Sequence, residues 1–126
     1  MILGLGIDLE ETARIRESIE KFGERFLEKM FTPGEIAFCQ GKANEAERFT
    51  ARFAAKEAAF KALQGDWRLG IRWQDFEVVT LPQGAPQLLL HGKSADLARE
   101  KGVTKTHLSF THTREMVSAV VILESE

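Results

Sequence analysis

Cysteine occurs once in this chain of 126 residues, at position 39. A disulfide framework and a cysteine-built zinc site are thereby excluded, and a lone thiol suits a reducing compartment such as the cytoplasm. Proline is almost as scarce, at three residues, and no proline-rich or low-complexity stretch interrupts the chain. No apolar run approaches the roughly 20 residues that span a bilayer, so no membrane association is expected. The opening MILGLGID lacks the basic start and the length of a secretory leader, and a first β-strand is expected there instead. Nor is positive charge in excess. With 17 basic and 19 acidic residues, broad attraction to nucleic acid is not expected, and an anionic partner must meet a local patch.

What is present is an ordinary globular composition, 44% hydrophobic and 29% charged, at a length that suits one domain over residues 1–126 with a modest core. The apolar run from Ile2 ends at Asp8, where helical spacing takes over: Ile15, Ile19, Phe22, Phe26 and Met30 form one stripe, which Gly23 could break. If the helix continues through Gly23, then Arg14, Lys21 and Arg25 align on the far side as a basic ridge; a solvated face balanced by Glu17 and Glu28 is the alternative. Thr32, Pro33 and Glu35 spell a capping box, and Asn44 with Glu47 offers a weaker one for a long helix ending near Gly65. The period then shortens. DFEVVTL and PQLLLHG read as a hairpin joined through Pro82, Gly84 and Pro86; SADLAREKG reads as a helix capped by Ser94; THLSFTH and MVSAVVIL read as two further strands. The expected fold is α+β, an antiparallel sheet packed against a long central helix.

The long helix carries an anomaly. In RFAAKEAAFKAL, Phe49, Phe53 and Phe60 share one face, yet Glu57 occupies the slot between them, with Arg52 and Lys56 flanking the stripe. A buried carboxylate without a partner costs several kcal/mol or changes its protonation state. An ion pair with Lys61, one turn on, is one account. Pairing with Asp8 is another: two carboxylates in one cleft suit Mg²⁺, which takes one or two protein carboxylates plus waters and phosphates. Asp8 could equally cap the helix that follows it.

GLGIDLEETARI and RFAAKEAAFKAL together, with WQDFEVV, the GAP turn and HLSFTHTREMVSAVVILE, closely resemble the holo-acyl-carrier-protein synthases, the small bacterial class of 4'-phosphopantetheinyl transferases. The likeness covers nearly the whole chain, and the paired motif is far more specific than either half. The resemblance implies transfer of the phosphopantetheine arm of coenzyme A to a serine of an acyl carrier protein, releasing adenosine 3',5'-bisphosphate and activating the carrier for fatty acid synthesis. It implies Asp8 and Glu57 as ligands of Mg²⁺, Lys61 as a phosphate contact, and Arg52 and His112 around the 3'-phosphate of the coenzyme. Outside the resemblance, Arg52 reads as a snorkelling surface arginine and His112 as a turn residue. The general base stays open between Glu57 acting through a water and water alone. Arg14 and Arg25 match the family's docking arginines for the acidic carrier; Lys21 joins them only by helical geometry. A cytoplasmic homotrimer with sites between neighbouring subunits is implied as well.

Two departures from the family pattern stand out. Gln64, Gly65 and Asp66 replace the usual Gly-Thr-Gly, placing an acid beside a phosphate-rich ligand. Glu10 gives DLE the look of the Asp-x-Glu in the larger transferase class, and is expected to face solvent. A binding module without chemistry would leave the pairing of Asp8 with Glu57 unexplained, and a metal-dependent phosphoesterase would want more ligands or a dedicated nucleophile.

Overall fold

The computed structural model describes all 126 residues. In chain order the elements are β1 (Ile2–Glu11), α1 (Thr12–Phe22), α2 (Glu24–Met30), α3 (Pro33–Cys39), α4 (Glu45–Leu63), β2 (Phe76–Thr80), β3 (Pro86–Leu90), α5 (Gly92–Glu100), β4 (Lys105–His112) and β5 (Met116–Glu124). Short 3₁₀ turns at Trp67–Leu69 and Trp73–Asp75 lead into β2. The fold is α+β, as expected, with two antiparallel ladders: β1–β5–β4 and the hairpin β2–β3. Thr106 Oγ1 donates to the carbonyl of Leu88 at 3.0 Å, tying the hairpin to β4.

Helix α4 covers one face of the three-stranded sheet. Its buried face is mostly alanine (Ala54, Ala55, Ala58, Ala59 and Ala62), packed on Val117, Ala119, Val121 and Leu123 of β5. Small side chains let the backbones come close. A Cβ at Gly4 would lie 2.1 Å from the Ala62 carbonyl oxygen, and one at Gly6 would lie 1.8 Å from that of Ala58. The two glycines are therefore obligatory contacts, and they fix the height of β1 against the helix.

Several local expectations change. Gly23 (φ 57, ψ −135) does break the first helix: it ends α1, starts α2, and puts Phe22 out in solvent instead of in the apolar stripe. The capping box at Thr32 forms as read, with Glu35 N donating to Thr32 Oγ1 at 3.2 Å and Thr32 N to Glu35 Oε1 at 2.9 Å. Asn44 makes no such bond; its side-chain oxygen accepts from Arg48 Nε at 2.7 Å. Ser94 lies inside α5, its buried hydroxyl donating to the carbonyls of Asp75 and His91, which anchors the helix to the turn before β2. Helix α4 ends at Leu63, and Gln64 takes the left-handed cap conformation (φ 53) just before Gly65.

Candidate functional site

Strand alternation continues the face that Gly4 and Gly6 define. Positions 8 and 10 point the same way, so Asp8 and Glu10 are turned toward α4 and lie beside Glu57. The Asp8 side chain is only 10% exposed. Its Oδ1 receives Lys61 Nζ at 3.3 Å, and the same ammonium donates to the Ile7 carbonyl at 3.0 Å. Asp8 Oδ2 is buried with no partner at all. Lys61 thus pairs with Asp8 across the strand–helix junction, not with Glu57 along the helix, and Asp8 caps nothing: the residue before α1 is Glu11, which makes no side-chain cap.

Glu57 sits between two aromatic stacks, Phe53 on Trp73 (5.3 Å) and Phe60 on Trp67 (3.9 Å). Burial raises its carboxyl pKa, the charge on Asp8 raises it further, and Lys61 opposes both. Glu10 is pushed up to about 8, first by burial, then by the Asp8 carboxylate set close to it and by repulsion from Glu57, with Arg14 opposing. The expectation that Glu10 faces solvent is therefore corrected: β1 runs on to Glu11, and its pleat turns position 10 inward. The three carboxylates do not converge into a closed cage of protein ligands. A buried, orphaned carboxylate oxygen with a second carboxylate nearby is nevertheless a fitting donor set for a hard cation that completes its shell with water and phosphate oxygens.

A second site lies elsewhere on the chain. A cavity of about 580 Å³ is lined by Phe38, Arg48, Arg52, Thr80, His112 and Arg114 among others, and contains neither Asp8, Glu57 nor Lys61. Arg52 does not snorkel. It is 4% exposed, its guanidinium lies 4.6 Å from the Phe38 ring centroid, and it donates to Arg48 O (3.2 Å) and Thr80 Oγ1 (3.1 Å). No carboxylate pairs with it, and its Nε is buried without a partner. Burial pulls its pKa below the ordinary arginine value, with Arg48 adding to the effect. His112 is the exposed last residue of β4 on the same cavity wall.

The basic ridge survives in part. Arg14 and Lys21 both line a groove of about 330 Å³ with Glu10, Phe22, Phe26 and Phe53. Arg25 lies on α2, outside this groove, because the chain turns at Gly23. The departure at Gln64-Gly65-Asp66 also has a physical account. Arg68 clasps Asp66 through Nε (3.0 Å) and Nη2 (2.7 Å), and its backbone N–H donates to the same carboxylate, so the added acid is neutralised locally.

Sequence reasoning missed one buried ion pair. Lys56 and Glu35, both fully buried, meet at 2.7 Å; Lys56 also donates to the Trp73 and Phe76 carbonyls, and Glu35 accepts from Thr32 N and Val78 N. Glu35 was legible as a capping residue, but nothing in the spacing joins it to Lys56.

Comparison with known proteins follows the same lines. Residues 4–119 match a family model described as the 4'-phosphopantetheinyl transferase superfamily. A holo-[acyl-carrier-protein] synthase of Solibacter usitatus is 54% identical over 125 residues, covering 99% of this chain and all of that protein. Among solved structures, the holo-[acyl-carrier-protein] synthase of Neisseria meningitidis aligns with a TM-score of 0.88 at 28% identity, covering 99% of this chain and 100% of that one. That of Helicobacter pylori, in complex with coenzyme A, aligns at 0.82 and 30% identity over 95% of this chain and 99% of its own. The chain belongs to the 4'-phosphopantetheinyl transferase superfamily and, within it, to the holo-[acyl-carrier-protein] synthases. It is thus a transferase.

Proposed function

We propose that this chain, acting as one transferase domain in the cytoplasm, moves the 4'-phosphopantetheine arm of coenzyme A to a serine of an apo acyl carrier protein and so readies the carrier for fatty acid synthesis. The observation that carries this reading is Asp8: a carboxylate buried beside Glu57 and Lys61 with one oxygen left without a partner. Asp8 and Glu57 would hold Mg²⁺, which supplies positive charge at the pyrophosphate of the coenzyme. The serine oxygen attacks the phosphorus bearing the pantetheine arm, a new P–O bond forms, and the bond to adenosine 3',5'-bisphosphate breaks. Lys61, half-exposed at the edge of the pair, lies where negative charge develops on the phosphates. The serine proton leaves to water, directly or through Glu57.

Arg52 and His112 take the 3'-phosphate in this reading. A buried guanidinium that lines a cavity and carries no carboxylate suits a phosphate oxygen. Arg14, Lys21 and Arg25 take the acidic carrier, Arg14 and Lys21 from the groove and Arg25 from the adjoining helix. Because the Arg52 cavity holds none of Asp8, Glu57 or Lys61, one coenzyme is served most simply across two copies of the chain. The outer face of β1 supports such an assembly: Leu5, Ile7 and Leu9 are 63%, 63% and 61% exposed, an apolar row that a monomer would leave in water. A homotrimer with sites between neighbours is the proposed form.

The direct test mixes the chain with coenzyme A, Mg²⁺ and an apo acyl carrier protein, and looks by mass spectrometry for the arm on the carrier's serine. An unmodified carrier would defeat the proposal.

A further inference from the structure

This inference rests on the transferase reading above and concerns the acceptor, not the coenzyme. Glu10 belongs to two features at once. It lines the groove that Arg14, Lys21, Phe22, Phe26 and Phe53 wall, and its carboxyl group lies against Asp8 and in the field of Glu57. Strand chemistry does not account for it. Glutamate is depleted in strands, and a second acid two residues from Asp8 on the same face adds like-charge repulsion. None of the molecule's ion pairs includes Glu10. Its open side is the groove, and its inner neighbour Asp8 has an oxygen with no partner.

We propose that Glu10 touches the acceptor: a carboxyl oxygen of Glu10 accepts a hydrogen bond from the hydroxyl of the carrier's serine as that residue enters along the groove, turning the serine oxygen toward the phosphorus beside Lys61. This assigns the three acids different work. Asp8 and Glu57 face the coenzyme's phosphates, and Glu10, which closes no three-ligand cage with them, faces the incoming hydroxyl.

The experiment compares wild type with Glu10→Val and Glu10→Gln in the full chain. It measures steady-state transfer to the carrier protein, the KM for coenzyme A, and Mn²⁺ affinity by electron paramagnetic resonance in the presence of coenzyme A without carrier. Losing the acceptor of a hydrogen bond in a half-buried site costs enough that Glu10→Val should lower kcat about tenfold or more. Glu10→Gln, which keeps a neutral acceptor oxygen, should fall in between. The KM for coenzyme A and the Mn²⁺ affinity should stay within about twofold of wild type. Unchanged kcat in Glu10→Val overturns the assignment, and so does Mn²⁺ affinity that falls in step with kcat, which would make Glu10 a cation ligand. Should the Val variant melt early, Glu10→Ile, equally at home in a strand and equally without an acceptor, gives the same reading. A wild-type chain that transfers nothing sinks the transferase reading itself, whereas wild-type transfer with unaffected variants sinks only this inference.

Discussion

Lys56 and Glu57 are adjacent on one helix, and their charges meet opposite fates. Lys56 is fully buried, and every contact it needs is inside the protein: Glu35 at 2.7 Å, the carbonyls of Trp73 and Phe76, and the face of Phe31 at 5.6 Å. Burial lowers its pKa while Glu35 holds it up. One residue later, Glu57 leans on Asp8, another acid, and Asp8 keeps a buried oxygen with no donor. Compensation closed within the fold marks a charge that holds structure; compensation left open marks one that awaits something from outside. Arg52, buried without a carboxylate, belongs with the second kind.

The comparison breaks hardest at Lys56. Lys56→Met leaves the Glu35 carboxylate buried and unpaired, and losing one partner of such a pair costs about 3 to 5 kcal/mol. Thermal and urea melts should show that loss, and a double variant with Glu35→Gln should recover much of it. If Lys56→Met melts like wild type, the pair is not structural.

Asp8→Asn and Glu57→Gln should do the reverse. Transfer should drop about a hundredfold or more, roughly 2.7 kcal/mol of transition-state stabilisation. Stability should hold or rise, because each change removes like-charge repulsion. Excess EDTA on the wild type should mimic them. An early melt in either variant would mean that the open pair is as structural as the closed one.

How much of this contrast was legible in the sequence varies by residue. Glu57 was, because an acid in an apolar stripe is a local anomaly, and so was Asp8 once the two motifs were taken together. The glycines of GLGID were read as parts of a strand, but their reason is the approach of Ala58 and Ala62, which only the packing reveals. Glu10 was misread because the strand was expected to end at Asp8. Three more residues of pleat reverse its direction. The Lys56–Glu35 pair was invisible, since it joins α4 to α3 through a tertiary contact with no sequence period. The ridge failed at Arg25 for a backbone reason, the left-handed φ of Gly23.

Arg52 sharpens the comparison with a smaller effect. Arg52→Ala should raise the KM for coenzyme A about tenfold, the range of one hydrogen bond to a charged group, and should erase most of the preference over dephospho-coenzyme A. Preference as strong as wild type would remove Arg52 from the 3'-phosphate. Smaller still is the ridge. Arg14→Glu with Arg25→Glu should raise the KM for carrier protein and flatten its dependence on salt, since exposed charges act through a field screened over roughly 8 to 10 Å. The KM for coenzyme A should scarcely move. An unchanged carrier constant would return both arginines to an ordinary solvated face.

The smallest effect reads the open cluster through pH in the metal-free protein. The Glu10 carboxyl is raised from 4.5 to about 8, chiefly by burial and then by the Asp8 carboxylate close to it. A raised folded-state pKa means that the native state binds a proton the unfolded chain has already released between these values. Its stabilising contribution is therefore fully present below the unfolded value of about 4.5. It is lost progressively as pH rises through about 8. Half-exposure keeps the effect modest, a shift of a few degrees in Tm. Melts in EDTA from pH 5 to pH 9 should show wild type losing stability relative to Glu10→Gln, which carries no titrating group at that position. The closed pair offers the contrast: Lys56 and Glu35 are fully buried against each other, so a slope that Glu10→Gln leaves in place would have to come from elsewhere in the molecule, and Glu10 would then not carry the raised pKa of the open cluster.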